Sequence, residues 1–207
     1  MKRLSVVLLT LLLFLMIGPL RADITPVVEY TSIGTLLDDR PFTLGYEFSL
    51  STTLDVTALG SWAPGIGSGQ QVGIWDTSGD LLAWAPVSNT DPTVGHFVYQ
   101  TIPGLVLGPG NYVIGGTYED GALPDGASGV TSQPGYTWIT DEFVLGSGLN
   151  FPNSSTGGFY GQNGIFEADF AATPVATPEP SELLPAVIIG MGTGLALVLR
   201  RRVRSVC

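Results

Sequence analysis

Two long apolar runs, one near each end of the chain, limit any folded domain to the residues between them. They cover residues 4–20 and 183–199, and neither contains a charged side chain. Runs of this length are typical of membrane-inserting segments. The roughly 150 residues between them are enough to build one core without disulfides, and the single cysteine, Cys207, excludes an intrachain disulfide. We therefore expect one folded domain with an address segment at each end.

The acidic and basic residues are also distributed unevenly along the chain. Seventeen of the eighteen carboxylates lie between Asp23 and Glu179, where Arg40 is the only lysine or arginine. Capture of DNA or RNA requires a basic face. The composition therefore excludes nucleic acid as a partner, while cationic partners and divalent metals stay compatible with it.

The first 22 residues are predicted to be a signal peptide. A short cationic start precedes the apolar run, which ends at Gly18-Pro19. Signal peptidase is expected to cut between Ala22 and Asp23. The alternative is an uncleaved anchor, which the short run and its helix-breaking end disfavour.

The other end carries three consecutive segments. Residues 173–182 form a Pro-rich linker that contains Pro178, Glu179 and Pro180, residues 183–199 are predicted to be a transmembrane helix, and residues 200–207 form a basic tail. Clustered arginines hold a tail in the cytoplasm, which places the acidic domain outside the inner membrane. The arginines of the tail are Arg200, Arg201, Arg202 and Arg204.

A Pro-Glu-Pro motif, a short membrane helix and an arginine-rich tail, in this order, resemble the PEP-CTERM sorting signal. The resemblance implies that an exosortase in the membrane recognises Pro178, Glu179 and Pro180 and releases or transfers the protein upstream. Two prolines favour an extended backbone, which suits binding by a peptide-cutting enzyme. The alternative is a plain single-span anchor, which does not require the motif.

Residues 23–172 are predicted to be an all-β domain, because short alternating segments are separated by Gly, Pro, Asn and Asp, with no helical periodicity. The hairpin around Thr77-Ser78-Gly79-Asp80 is the clearest local signal. Eight strands are predicted: Phe42 to Leu50, Leu54 to Leu59, Val72 to Asp76, Leu81 to Val87, Phe97 to Ile102, Tyr112 to Tyr118, Tyr136 to Leu145 and Ile165 to Ala171.

Alternation also predicts which side chains are buried. In the strand from Phe42 to Leu50, the aromatic and leucine positions should face the core, and Thr43, Gly45, Glu47 and Ser49 should face water. In the last strand, Phe166, Ala168 and Phe170 should face the core, and Glu167 and Asp169 should face water.

Many short strands with turns at about ten-residue spacing predict an antiparallel β-sandwich, with a jelly-roll-like topology ahead of an immunoglobulin-like one. Segments 44–48, 56–60 and 72–76 also resemble an uncharacterised β-sandwich family of extracellular bacterial proteins. That resemblance spans roughly Ile33 to Phe170 and implies a fold without an activity.

Candidate catalytic residues are few. His96 is the only histidine, and neither a Ser-His-Asp nor a Cys-His arrangement can be assembled around it from the sequence. A zinc site would require more histidines or thiols. No catalytic residue is assigned, and the domain is expected not to be an enzyme.

Acidic pairs leave a calcium site as a hypothesis. Hard cations take carboxylate oxygens, and Glu119 and Asp120 lie close to Asp125 in the sequence. The spacing of an EF-hand loop is missing, so a solvated acidic loop is the alternative. Similar pairs occur at Asp38-Asp39 and Asp141-Glu142.

Together these features predict an exported cell-envelope or extracellular-matrix protein, processed at its sorting tag and associated with exopolysaccharide. The alternative is a module that binds or cleaves carbohydrate. Exposed Trp62, Trp84 or Trp138 could stack on sugars, and paired carboxylates could hydrolyse them, although tryptophans in a sandwich more often pack in the core.

Overall fold

The computed structural model describes residues 23–38, 41–66, 69–119, 121–155 and 164–175. These residues form an all-β, sandwich-like fold of antiparallel sheets, with one short 3-10 helix at Ala63–Gly65. The strands are β1 (Val28–Glu29), β2 (Ser32–Asp38), β3 (Phe42–Leu50), β4 (Leu54–Trp62), β5 (Gln70–Asp76), β6 (Leu81–Val87), β7 (Thr93–Val94), β8 (Phe97–Leu107), β9 (Gly110–Tyr118), β10 (Gly121–Ser128), β11 (Thr131–Ser132), β12 (Tyr136–Leu145), β13 (Ser154–Ser155) and β14 (Ala168–Pro174).

The two larger sheets have six and four strands. Their strand orders are β13-β12-β3-β9-β5-β6 and β14-β4-β8-β7. The rings of Phe48 in β3 and Phe170 in β14 pack with centroids 5.0 Å apart, and Ala168 lies beside Gly116 of β9. The core therefore lies between the two sheets, and aromatic and aliphatic side chains from both fill it.

The hairpin predicted around residues 77–80 is confirmed. β5 and β6 pair in antiparallel register, and Gly79 adopts a φ of 92°, which favours glycine. The Asp76 carboxylate accepts hydrogen bonds from the backbone amides of Ser78 and Asp80, at 2.8 and 3.0 Å. This side chain thus holds the turn closed.

Three of the predicted strands have the predicted bounds: β3, β6 and β12. β8 continues to Leu107, beyond the predicted end, and β14 begins at Ala168 and ends at Pro174. The pair formed by β2 and β10 was not predicted. The β10 sequence contains two glycines and Pro124, which are depleted in strands, so it carries no strand signal of its own.

The expectation that Thr43 and Gly45 face water is wrong. Both are buried, because residues 146–153 fold back across this face of the six-stranded sheet. Thr43 Oγ1 donates a hydrogen bond to the Gly148 carbonyl at 3.1 Å and accepts one from the backbone amide of Asn150 at 2.9 Å. Gly45, Gly115 and Gly73 lie opposite one another on adjacent strands, and the space left by their missing side chains lets this segment approach the sheet.

Candidate functional site

Most residues of the two address segments lie outside the described part of the chain. This holds for Ala22, for Pro178, Glu179 and Pro180, and for the four tail arginines; Asp23 is described and exposed. Among the described residues, the structure contains no helix that could span a bilayer.

The residues of the calcium hypothesis are only partly described. Glu119 is exposed at the end of β9, Asp125 is half-buried in β10, and Asp120 lies outside the described ranges. Among the described residues, no group of three or more His, Cys, Asp or Glu side chains could hold a metal ion. Burial raises the pKa of Asp141, and the Asp125 charge adds a smaller upward effect.

The three candidate tryptophans have different environments. Trp62 is buried, and Trp138 is partly buried and donates its indole N–H to Asp141 at 3.2 Å. Trp84 is 51 % exposed, on β6 at the edge of the six-stranded sheet. Trp84 is therefore the one of the three with a ring face open to a ligand.

Trp84 belongs to an exposed row that we call the β6 face, formed by Leu82, Trp84 and Pro86. These alternate along the strand with Ala83, Ala85 and Val87, which are buried or partly buried. Gly73 lies opposite Trp84 on β5, and the Trp75 ring and the Leu149 side chain lie over this glycine. The result is a flat, uncharged apolar surface at a sheet edge.

A groove with several polar side chains in its lining adjoins the β6 face. Its volume is about 360 Å³, and Pro86 is part of its lining together with Gln71, Ser88, Thr117 and Glu119. Amide, hydroxyl and carboxylate groups next to a flat aromatic ring are a combination that can bind a sugar, because the ring stacks on C–H groups while the polar groups hydrogen-bond the hydroxyls.

His96 lies in a contact that ties the N-terminal segment to the sheet. Glu29 accepts from the His96 backbone amide at 3.1 Å and pairs with His96 Nδ1 at 3.0 Å. The Tyr30 ring stacks on the imidazole with centroids 4.4 Å apart. These contacts account for His96 as a structural residue.

Asp169 was expected to face water and is instead fully buried. Residues 25–28 run along the free edge of β14, and the Val28 amide donates to Asp169 Oδ1 at 3.3 Å. Tyr99 donates its hydroxyl to Oδ2 at 2.6 Å, with its ring lying over Gly60. Burial raises the Asp169 pKa to about 8, although these hydrogen bonds lower it.

Glu167 was also expected to face water, and it too is fully buried. Burial raises its pKa to about 8, while the side chains of Gln70 and Ser61 come close enough to lower it. Even so, neither carboxyl oxygen has a hydrogen bond of ordinary geometry within the described residues. The described ranges contain no lysine or arginine, so no cation from them can neutralise this group.

Sequence reasoning missed the cluster formed by Ser61, Gln70 and Glu167, which we call the intersheet cluster. Ser61 lies in β4, Gln70 begins β5, and Glu167 directly precedes β14. The Ser61 hydroxyl donates a hydrogen bond to Gln70 Oε1. The one available signal was the scarcity of basic residues, which leaves a carboxylate without a partner if it becomes buried.

No protein-family model matches this chain, and no curated protein is similar to it.

Proposed function

We propose that this chain is an exported, non-enzymatic cell-envelope or extracellular-matrix protein. Signal peptidase removes the first 22 residues, the C-terminal helix anchors the protein in the inner membrane, and an exosortase processes the PEP-CTERM-like tag. The product then associates with exopolysaccharide at the cell surface or outside the cell. The order of the segments in the sequence supports this proposal.

The observation that carries it is the position of the last strand. β14 ends at Pro174, four residues before Pro178. Cleavage at the Pro-Glu-Pro motif would therefore leave every described strand in the released product. A tag that follows the folded domain so closely is compatible with removal after folding.

Replacing Pro178, Glu179 and Pro180 with alanine is expected to retain the protein in the membrane fraction, because the extended recognition segment is lost. Immunoblots of membrane, surface and medium fractions measure this. The matched control carries Val175→Ala and Thr177→Ala in the same linker, and it should be released normally. Normal release of the triple-alanine variant would refute processing at the motif.

For the fold we propose a jelly-roll-like topology. The chain crosses repeatedly between the two larger sheets: from β3 to β4, back from β4 to β5, over again from β6 to β7, and back from β8 to β9. Such crossings are typical of double-sheet Greek-key folds.

A second candidate function is carbohydrate binding, favoured by the β6 face and its groove. The exposed Trp84 ring would stack on a sugar, and Gln71, Ser88 and Thr117 would bind its hydroxyls. This role is compatible with the first, since a matrix protein that binds exopolysaccharide needs such a surface.

The Trp84→Ala variant is expected to bind polysaccharide at least about tenfold more weakly, a loss of roughly 1.4 kcal/mol. Affinity electrophoresis in gels containing the producing cell's exopolysaccharide measures this. Val106→Ala, which truncates another exposed apolar side chain, is the matched control and should bind normally. Equal mobility of all three proteins with and without the polysaccharide would exclude the site.

A further inference from the structure

The intersheet cluster places a hydroxyl against a side-chain amide between the two larger sheets. Ser61 is fully buried and lies opposite Ala168, on the side of β4 that faces the six-stranded sheet. Gln70 lies two residues before the buried Val72, so both side chains point toward the core. The Ser61 hydroxyl contacts Gln70 Oε1, which is bonded to the amide carbon Cδ. The nucleophilic oxygen is thus adjacent to an electrophilic carbon.

Glu167 supplies the third group. Its carboxyl is fully buried beside both partners, and neither of its oxygens is held by a hydrogen bond of ordinary geometry within the described residues. A pKa raised to about 8 keeps this carboxyl protonated at neutral pH. A neutral, fully buried acid can donate a proton and then take one back, as a general acid and base must.

We propose that Ser61 and Gln70 become joined by an intramolecular ester crosslink, formed after folding with Glu167 as the proton-transfer group. Ser61 Oγ attacks Gln70 Cδ, and the new C–O bond replaces the C–N bond of the amide. Glu167 donates its proton to the departing nitrogen, which leaves as ammonia, and its carboxylate takes the proton of the Ser61 hydroxyl. No oxidant or cofactor is consumed, and Glu167 is regenerated.

The position of the crosslink gives it a consequence for the fold. Ser61 belongs to the four-stranded sheet and Gln70 to the six-stranded sheet, so the ester would join the two layers covalently. This chain has one cysteine and cannot use an intrachain disulfide for the same purpose. Gln70 also lines the groove beside the β6 face, which offers ammonia a way out. The crosslink does not depend on the proposed function.

Intact mass spectrometry of the full chain, purified in its folded state with its termini determined, tests the proposal. The protein should be lighter than its sequence by the mass of one ammonia molecule, and proteolysis should yield a branched peptide that joins positions 61 and 70. Alkaline hydroxylamine should cleave this branch and leave a hydroxamate at position 70, because esters are cleaved under conditions that leave amides intact.

Ser61→Ala and Glu167→Gln should both have the full mass calculated for their sequences. Ser78→Ala, which removes an exposed serine hydroxyl, is the matched control and should still lose ammonia. Circular dichroism identifies any variant that does not fold, and the wild-type mass decides the question without the variants. Full mass in the folded wild type, or an ammonia loss that maps to any other residue, would overturn the assignment.

Discussion

Raising the pH from about 4 to about 8 is expected to lower the free energy of unfolding steeply, because two buried carboxyl groups must stay protonated in the native state. The pKa values of Glu167 and Asp169 are raised to about 8, from ordinary values of 4.5 and 3.8. Between these limits the native state holds protons that the unfolded chain releases. Stability is therefore greatest below this window, falls through it, and levels off once the native carboxyls ionise.

The size of this effect follows from the same linkage. Each group contributes a slope of up to roughly 1.4 kcal/mol per pH unit within its window. Two groups can thus remove a large part of the roughly 5–15 kcal/mol that stabilises a typical domain. Urea denaturation at a series of pH values, followed by tryptophan fluorescence, measures the slope.

Isosteric neutral variants separate the two contributions. Glu167→Gln and Asp169→Asn should each flatten the pH dependence, whatever their stability at a single pH. Glu119→Gln, at an exposed carboxylate, is the matched control and should keep the wild-type slope. If the free energy of unfolding of the wild type stays level from about pH 5 to about pH 8, a range inside this window, these carboxyls are not protonated in the native state.

The second large effect is expected from Gly45→Ala, which should cost about 3 kcal/mol or more, or prevent folding. Gly45 of β3 lies opposite Gly115 of β9, and a Cβ at position 45 would overlap the Ile114 carbonyl oxygen and the Gly115 Cα. Both are backbone atoms, so the strands would have to separate. Thermal unfolding followed by circular dichroism measures the loss.

Gly108→Ala is the matched control for this substitution. A Cβ at position 108 meets nothing within 4 Å, and the residue does not have a positive φ. This variant should be as stable as the wild type or slightly more stable, because alanine restricts the unfolded chain. Equal stability of the two variants would mean that β3 and β9 do not approach as closely as the structure shows.

Local patterns predicted the strands that carry strong alternation. β3, β6 and β12 have their predicted bounds, and the turn that joins β5 and β6 was located from its polar residues and glycine. These signals lie within a few residues of one another, so they need no knowledge of the rest of the fold. β10 escaped prediction because its pairing with β2, across more than eighty residues, stabilises a segment with poor strand propensity.

For the candidate sites, too, the sequence indicated which residues to consider, and the tertiary structure decided their environments. The sequence supplied Trp84 as one of three possible sugar-binding tryptophans, but only the sheet order places it on an exposed edge and Trp62 in the core. It also indicated that Glu167 and Asp169 alternate with apolar residues, without indicating that both faces of that strand are covered.

By itself, the sequence determined the all-β class, the anionic character of the domain and the separation of apolar and basic residues toward the chain ends, because composition and short-range periodicity are local properties. The tertiary structure alone decided which polar residues lose contact with water. Thr43 is covered by residues 146–153, and Asp169 by residues 25–28 and the Tyr99 ring. Burial is set by whatever distant segment packs on a residue, and alternation along one strand cannot identify that segment.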